Sequence, residues 1–298
     1  MNSGRGGGTS CGFVALIGAP NAGKSTLINR LVGTKISIVS RKVQTTRSSV
    51  RGIALEGKAQ IVFVDTPGIF APKHRLDRAM VAAAWGSTGD ADAAALLVDV
   101  HKGINAEVEA ILGRLPQSTA TKILVLNKID TVEPPKLLEL AARLNGVLPF
   151  AQTFMISALR GHGVAKFKHE LAALIPPGPW LYPEDQISDM PLRLLAAEIT
   201  REKLFERLHD ELPYSSTVET EVWKDLPDGS ARIEQTIYVM REAHKKIAIG
   251  EGGRTIKAIG TAARKEISED LFLFVKVREN WLDDPERYRE MGLDFPKG

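Results

Sequence analysis

One cysteine, Cys11, stands in a chain of 298 residues. A single thiol cannot close an intrachain disulfide, and it is too little to build a metal cluster. The six histidines are not spaced as a zinc ligand set. Long apolar runs are missing too. None approaches the roughly 20 residues of a membrane-spanning helix, and the opening MNSGRGGGTS lacks the apolar stretch of a secretory signal. These absences leave a cytoplasmic globular chain as the expectation. Nor is one sign of charge in large excess: the net charge is +3, which neither demands nor forbids nucleic acid. Lys and Arg outnumber Asp and Glu by 21 to 14 up to Ile187, and fall behind by 18 to 22 from Ser188 onward. A nucleic-acid role for the second half must therefore rest on local placement of charge.

What is there is an ordinary globular composition, 44% hydrophobic and 25% charged. At roughly 100–200 residues per domain, two domains are expected. Short runs rich in Val, Ile and Leu recur at 13–18, 59–65, 94–100, 121–127 and 152–157, with helix-length segments between them. That alternation predicts an α/β sheet with helices on both faces. The segment 48–56 alternates in polarity and predicts an antiparallel strand turning into the next one. IPPGPWLYPED, residues 175–185, holds four prolines and a glycine and reads as a domain boundary. Beyond it, Leu192, Leu195, Ile199, Leu204 and Leu208 suggest a long amphipathic helix. Two strands near 217–223 and 232–240 flank the turn LPDGS; a helix over 254–268 and a strand over 271–277 follow.

Four motifs carry chemistry. GAPNAGKS, from Gly18 to Ser25, follows an apolar strand and opens a helix. Its backbone N–H groups can wrap phosphates, Lys24 can reach the outer ones, and Ser25 can ligate Mg²⁺. DTPG, Asp65 to Gly68, ends the second parallel strand, where Asp65 can reach the ion through water and the Gly68 amide can face a γ-phosphate. NKID, Asn127 to Asp130, ends another strand; the Asp130 carboxylate suits the N1–H and exocyclic amine of guanine and mismatches adenine. Ser157 and Ala158, at the end of the next strand, can complete the base pocket through backbone N–H donation to the guanine oxygen. Between the first two motifs, SRKVQTTR offers Thr45 and Thr46 as threonines able to close over Mg²⁺, Thr46 being favoured because it lies nearer the following strand. The order and strand-end positions predict a GTP-hydrolysing switch.

One part of that machinery is missing. Where many signalling GTPases place a water-orienting glutamine after DxxG, this chain has Ile69, which holds no water by hydrogen bonding. Slow intrinsic turnover is expected, unless a partner or a monovalent cation such as K⁺ against Asn21 intervenes; Gln44 is a weaker candidate.

In the second half, IGEGGRTIKAIG (249–260) sets Gly250, Glu251, Gly252 and Gly253 before a helix. A GxxG loop of this kind is either an ordinary turn or a clamp for a single-stranded nucleic-acid backbone. Lys245, Lys246, Arg254 and Lys257 surround it, which favours RNA locally. A second domain that binds protein is the rival, and RNA crosslinks within 250–257 would separate the two. A metabolic or tRNA-modifying enzyme is disfavoured, because no cysteine or histidine constellation follows Pro176.

Read together, these segments resemble the Era family of bacterial ribosome-assembly GTPases, over nearly the whole chain from Gly12 to about Trp281. ELPYS (211–215), IGEGGRTIK (249–257) and VKVRENW (275–281) carry the resemblance beyond the nucleotide motifs. It implies a P-loop GTPase domain with a mostly parallel six-stranded sheet, followed by an α+β type II KH domain. Expected divisions are a flexible segment 1–11, the GTPase domain 12–175, a linker 176–187, the KH domain 188–281, and a helix and tail 282–298. The resemblance further implies binding of GTP and GDP with Mg²⁺ and recognition of the 16S rRNA 3′ end during small-subunit assembly. A monomer and peripheral association with the inner membrane are also expected. By the same likeness Asn21, Ala22, Gly23, Lys24, Ser25 and Thr26 surround the phosphates, Asn127, Lys128 and Asp130 hold the base, and Gly250–Gly253 faces RNA. Glu251 departs from the uncharged or basic residue related proteins often carry, and is expected to point away or to weaken nonspecific binding.

Overall fold

The computed structural model describes residues 8–40, 42, 45–72, 74–209 and 212–296. They form two compact units. The first comprises residues up to Ser37, Thr46–Asp189 and Gly292 onward; the second comprises Ile38–Thr45 and Met190–Met291.

In the first unit, β1 (Ser10–Gly18), β2 (Val50–Glu56), β3 (Ala59–Asp65), β4 (Ala93–Asp99), β5 (Thr121–Asn127) and β6 (Gln152–Ile156) form one sheet in the order β2-β3-β1-β4-β5-β6. Only β2 runs antiparallel to its neighbour; the others pair in parallel. Parallel strands covered on both faces must be apolar on both, and β3 and β4 are buried along their whole length. Helices α1 (Lys24–Val32), α2 (Arg75–Gly89), α3 (Ala106–Arg114) and α4 (Pro134–Val147) lie between successive strands, and α5 (Val164–Leu174) follows β6. In α1 the buried positions are Lys24, Leu27, Ile28 and Leu31, a helical stripe whose first member is the functional lysine. The strand order reverses at β1, and the crevice beyond the carboxyl ends of strands at such a reversal is where open α/β sheets take ligands.

The proline-rich segment runs along this unit instead of leaving it. The buried Gln60 side chain accepts from the N–H groups of Leu181 (2.9 Å) and Tyr182 (3.0 Å) and donates to the Tyr182 carbonyl (2.8 Å). Trp180 Nε1 donates to Lys58 O, Ile53 N to Ile187 O, and Arg51 pairs with Asp189 at 3.1 Å. This strap occupies the outer edge of β2, an edge that would otherwise expose unpaired backbone groups.

The second unit sets α6 (Leu192–Arg207), α7 (Glu242–Ile249) and α8 (Arg254–Ile267) beside a three-stranded sheet, β7 (Ser216–Asp225), β8 (Ala231–Val239) and β9 (Asp270–Val277), in that order. A short α9 (Pro285–Glu290) follows. β7 and β8 are antiparallel, β8 and β9 parallel. The amphipathic reading of α6 needs one correction: Leu192 is exposed, being the first residue of the helix, while Arg201 and Glu202 are buried. Their burial is paired. Arg201 Nη2 reaches Glu198 and the Thr45 carbonyl at 2.5 Å each, its guanidinium lies 5.2 Å from the Phe205 ring centroid, and Glu202 accepts from the Val39 N–H at 2.8 Å. Residues 245–249 belong to helix α7, ahead of the glycine loop.

Candidate functional site

The loop after β1 has a backbone that dictates its residues. At Gly18 a Cβ would stand 2.5 Å from the Leu97 carbonyl, and at Gly23, where φ is +101°, 2.2 Å from Asn127 Nδ2. Neither place admits a side chain. Asn21 takes φ +62°, its carbonyl accepts from Lys128 Nζ at 2.8 Å, and the Ala22 carbonyl accepts from Asn127 Nδ2 at 2.8 Å. Gly23 caps α1, whose first residues Lys24, Ser25 and Thr26 present the helix N-terminus. Lys24 Nζ donates to the carbonyls of Gly18 (3.1 Å) and Ala19 (3.2 Å). Burial lowers its pKa to about 8, against the opposing charge of Asp65.

Beside it, Asp65 ends β3 fully buried, and desolvation raises its pKa despite Lys24 and two hydroxyl donors. Ser25 Oγ donates to Asp65 Oδ2 at 2.8 Å, Ser37 Oγ donates to the same oxygen at 2.7 Å, and Thr46 Oγ1 lies 3.0 Å from Ser25 Oγ. The Thr45 hydroxyl turns elsewhere, to the Lys42 carbonyl. Asp65 Oδ1 is buried with no hydrogen-bond partner among the described residues. A buried unpaired carboxylate oxygen amid hard oxygen donors fits a small divalent cation. Gly68 packs so close to Pro20 that a Cβ would stand 2.9 Å from its ring, and Ile69 N donates to Gly18 O at 3.0 Å. The Ile69 side chain belongs to the core with Ile17, Val98 and Leu126. The place after DTPG is thus a packing position here. Gln44 lies outside the described residues.

At the other end of the crevice, Asn127 spreads its carboxamide over three partners: Oδ1 accepts from Lys128 N (2.8 Å) and Ala158 N (3.0 Å) while Nδ2 holds Ala22 O. Lys128, at φ +68°, also pairs with Asp99 at 2.6 Å, which gives Asp99 a task in fixing this lysine. Asp130 is held below the usual carboxylate range, chiefly by the Ser157 hydroxyl and further by Arg160 and His162. It therefore stands ionised and solvent-facing.

In the second unit, Gly250 (φ +75°), Gly252 (φ +59°) and Gly253 (φ +75°) link α7 to α8 in conformations that suit glycine. A Cβ at Gly250 would stand 2.3 Å from Thr255 Oγ1. Glu251 is exposed and ion-paired with Arg254, so its charge is offset from within the loop. Lys246 and Lys257 are exposed on the flanking helices, and Lys245 lies 4.0 Å from Glu242.

Sequence reading missed Ser37, Asp99 and Arg30 as parts of the nucleotide crevice. Ser37 and Arg30 lie in no motif, and Asp99 ends a strand like many structural carboxylates. Their partners are 28 (Ser37–Asp65), 29 (Asp99–Lys128) and 128 (Arg30–Ala158) residues away.

Comparison with known proteins follows the same division. A family model described as a 50S ribosome-binding GTPase matches residues 13–128, and one described as a KH domain matches 211–282. GTPase Era of Brucella melitensis is 65% identical over 294 residues, covering 97% of this chain and 94% of that protein. GTPase Era of Rhizobium meliloti is 65% identical over 295 residues, with 97% and 94% covered. Two solved structures, each 38% identical, align over 95% of this chain and 99% of theirs. They are an Aquifex aeolicus Era variant bound to GDP·AlF4⁻ (TM-score 0.90) and Era in complex with MgGDPNP and nucleotides 1506–1542 of 16S ribosomal RNA (TM-score 0.89).

Proposed function

Because this chain belongs to the Era family of GTPases, we propose that it couples the Mg²⁺-dependent GTPase of its first unit to recognition of the 16S rRNA 3′ end by its second. The chain is a GTPase with a KH domain. In the proposed site Asn21, Ala22, Gly23, Lys24, Ser25 and Thr26 surround the phosphates. Asn127, Lys128, Asp130, Ser157 and Ala158 hold the base. Ser25 and Thr46 ligate Mg²⁺, with Asp65 reaching it through water, and the bound ion supplies positive charge against the β- and γ-oxygens. The observation that carries this is the orphaned Asp65 Oδ1 beside Lys24, Ser25 and Thr46. Gly68 offers its N–H toward the γ-phosphate. With Ile69 in the core, a monovalent cation at Asn21 is the proposed aid to hydrolysis, and equal rates in K⁺ and Na⁺ would remove it.

RNA binding is assigned to Lys245, Lys246, Gly250, Glu251, Gly252, Gly253, Arg254 and Lys257, at the loop between α7 and α8. The family description names the 50S subunit, but that model covers only 13–128. The solved relative that carries 16S rRNA aligns over nearly the whole chain, so the small subunit is the better supported target. Assistance to small-subunit assembly, a monomeric state and peripheral membrane association belong to the same proposal. No helix among the described residues is long and apolar enough to cross a membrane.

The test has two arms. Asp65→Ala should abolish the Mg²⁺-dependent gain in GTP affinity while leaving metal-free GDP binding in place. Photocrosslinking of an oligonucleotide spanning the 16S 3′ end should map to peptides within 245–257; crosslinks confined to other surfaces would overturn the RNA assignment.

A further inference from the structure

The three-stranded sheet of the second unit has two unlike faces. On one, Leu271, Leu273 and Val275 of β9 pack with Ile233 and Ile237 of β8 against residues of α6, α7 and α8. Side chains alternate across a strand, so Phe272 and Phe274 stand on the opposite face. They are 44% and 48% exposed there. Val222 of β7, 41% exposed, belongs to the same patch, since Glu234 is the register partner of both Val222 and Phe272.

Charge surrounds these three apolar side chains. The Arg232 guanidinium lies 4.7 Å from the Phe272 ring centroid and pairs with Glu234 at 2.9 Å. Lys224 is the register partner of Arg232, and Lys276 follows Phe274 on the same face. Both lysines are exposed, and neither is ion-paired with a described residue. The acids of this face are largely engaged. Glu234 has Arg232, Glu219 pairs with Arg278 and Arg287, and Glu221 accepts from the Tyr238 hydroxyl at 2.6 Å. Asp270 stands exposed at the start of β9.

A patch of three apolar side chains with cations on its rim is too small and too charged for a stable protein contact, which buries about 800 Å² on each partner. Exposed rings flanked by cations suit unpaired nucleotides, whose bases stack on the rings while phosphates meet Lys and Arg. Positions i and i+2 of a strand lie roughly 6.6 Å apart, about twice the 3.4 Å rise per nucleotide along one strand of a duplex. One base on each ring therefore requires a single strand whose bases are drawn apart. RNA readers built on a sheet carry aromatics at this same spacing.

We propose that the helix-free face of this sheet is a stacking platform for single-stranded RNA. Consecutive bases lie on Phe272 and Phe274, and Lys224, Arg232 and Lys276 meet the backbone. The glycine loop joins α7 to α8 on the helical side, so the platform is a second RNA contact, which extends the RNA reading above.

The experiment measures binding of a 20-nucleotide unpaired RNA spanning the 16S 3′ end to the full-length protein by fluorescence anisotropy. Phe272→Leu with Phe274→Leu should weaken binding by about 10-fold or more, because leucine keeps apolar area but has no π-face. Phe272→Tyr with Phe274→Tyr should retain the wild-type affinity. Lys276→Ala should lower the slope of log affinity against log salt by about 0.7, one phosphate contact on a single strand. Undiminished affinity in the leucine pair would overturn the proposal, as would equal losses in the leucine and tyrosine pairs. A dimer of the wild-type protein in sedimentation that the leucine pair dissolves would also overturn it, by assigning the face to a second copy. Crosslinking by ultraviolet light in wild-type protein needs no variant to fold, and should place bases on peptides containing 271–276. Crosslinks within 245–257 with none at 271–276 would overturn the platform and leave the glycine-loop assignment standing, whereas crosslinks at neither would sink both.

Discussion

Asn127 Nδ2 donates to the carbonyl oxygen of Ala22 at 2.8 Å, which locks the end of β5 to the loop that follows β1. The same carboxamide orders Lys128 N and Ala158 N, so one side chain sets the spacing between phosphate and base subsites. Asn127→Ala leaves buried partners unsatisfied, at about 1–3 kcal/mol each. GDP dissociation should accelerate by roughly 100-fold or more, as read by stopped-flow release of a fluorescent GDP. Gly23→Ala tests the same junction from the other side, because its methyl would collide with Asn127 Nδ2. Wild-type release rates in both variants would refute the junction.

The lowered pKa of Lys24 predicts a pH limit on binding. In the free protein burial brings the ammonium down to about 8. Bound phosphates favour the charged form, so the pKa rises in the complex and binding takes up a proton above about pH 8. Affinity should be flat below that pH and should fall as pH rises through it, approaching about tenfold per pH unit. Calorimetric titrations at pH 7, 8 and 9.5 read the slope; equal affinities throughout would show that Lys24 stays charged in the free protein.

Asp130 owes its low pKa first to the Ser157 hydroxyl. Ser157→Ala should move the acid limb of GDP binding to higher pH, since a carboxylate that loses its donor takes a proton more readily. Asp130→Asn should shift preference from guanine toward xanthine nucleotides, as measured by competition. A preference for guanine that survives the exchange would remove Asp130 from the pocket.

Gln60 is a structural test away from the site. Its carboxamide makes three bonds to the strap at Leu181 and Tyr182. Gln60→Leu keeps the volume but strands those backbone groups. It should cost about 2–4 kcal/mol in urea unfolding and open 176–189 to proteolysis. Wild-type stability with an uncut strap would contradict the bonding pattern.

The nucleotide crevice was legible because its motifs are local. Gly18–Ser25 couples a strand end to a helix start within eight residues, and the positions of Asp65 and Asn127 follow from the same rule that strands of a parallel sheet end on one side. The sheet itself was readable from apolar runs long enough to be buried on both faces. The glycine loop before α8 needs only its own backbone angles. The α6 face was harder. Leucine spacing marked a stripe, but the burial of Arg201 and Glu202 depends on Thr45 and Val39, more than 150 residues upstream, and no periodicity encodes that.

The sequence by itself determined the fold class, the nucleotide chemistry and the preference for guanine, because each is written in neighbouring residues whose backbone conformation and side-chain type act together. The tertiary structure decided which distant groups complete them: Ser37 on Asp65, Asp99 on Lys128, Arg30 on Ala158, and the proline-rich segment on Gln60. Buried polar groups must find partners, but which partner lies within 3 Å is fixed only when the sheet has closed and brought remote segments together.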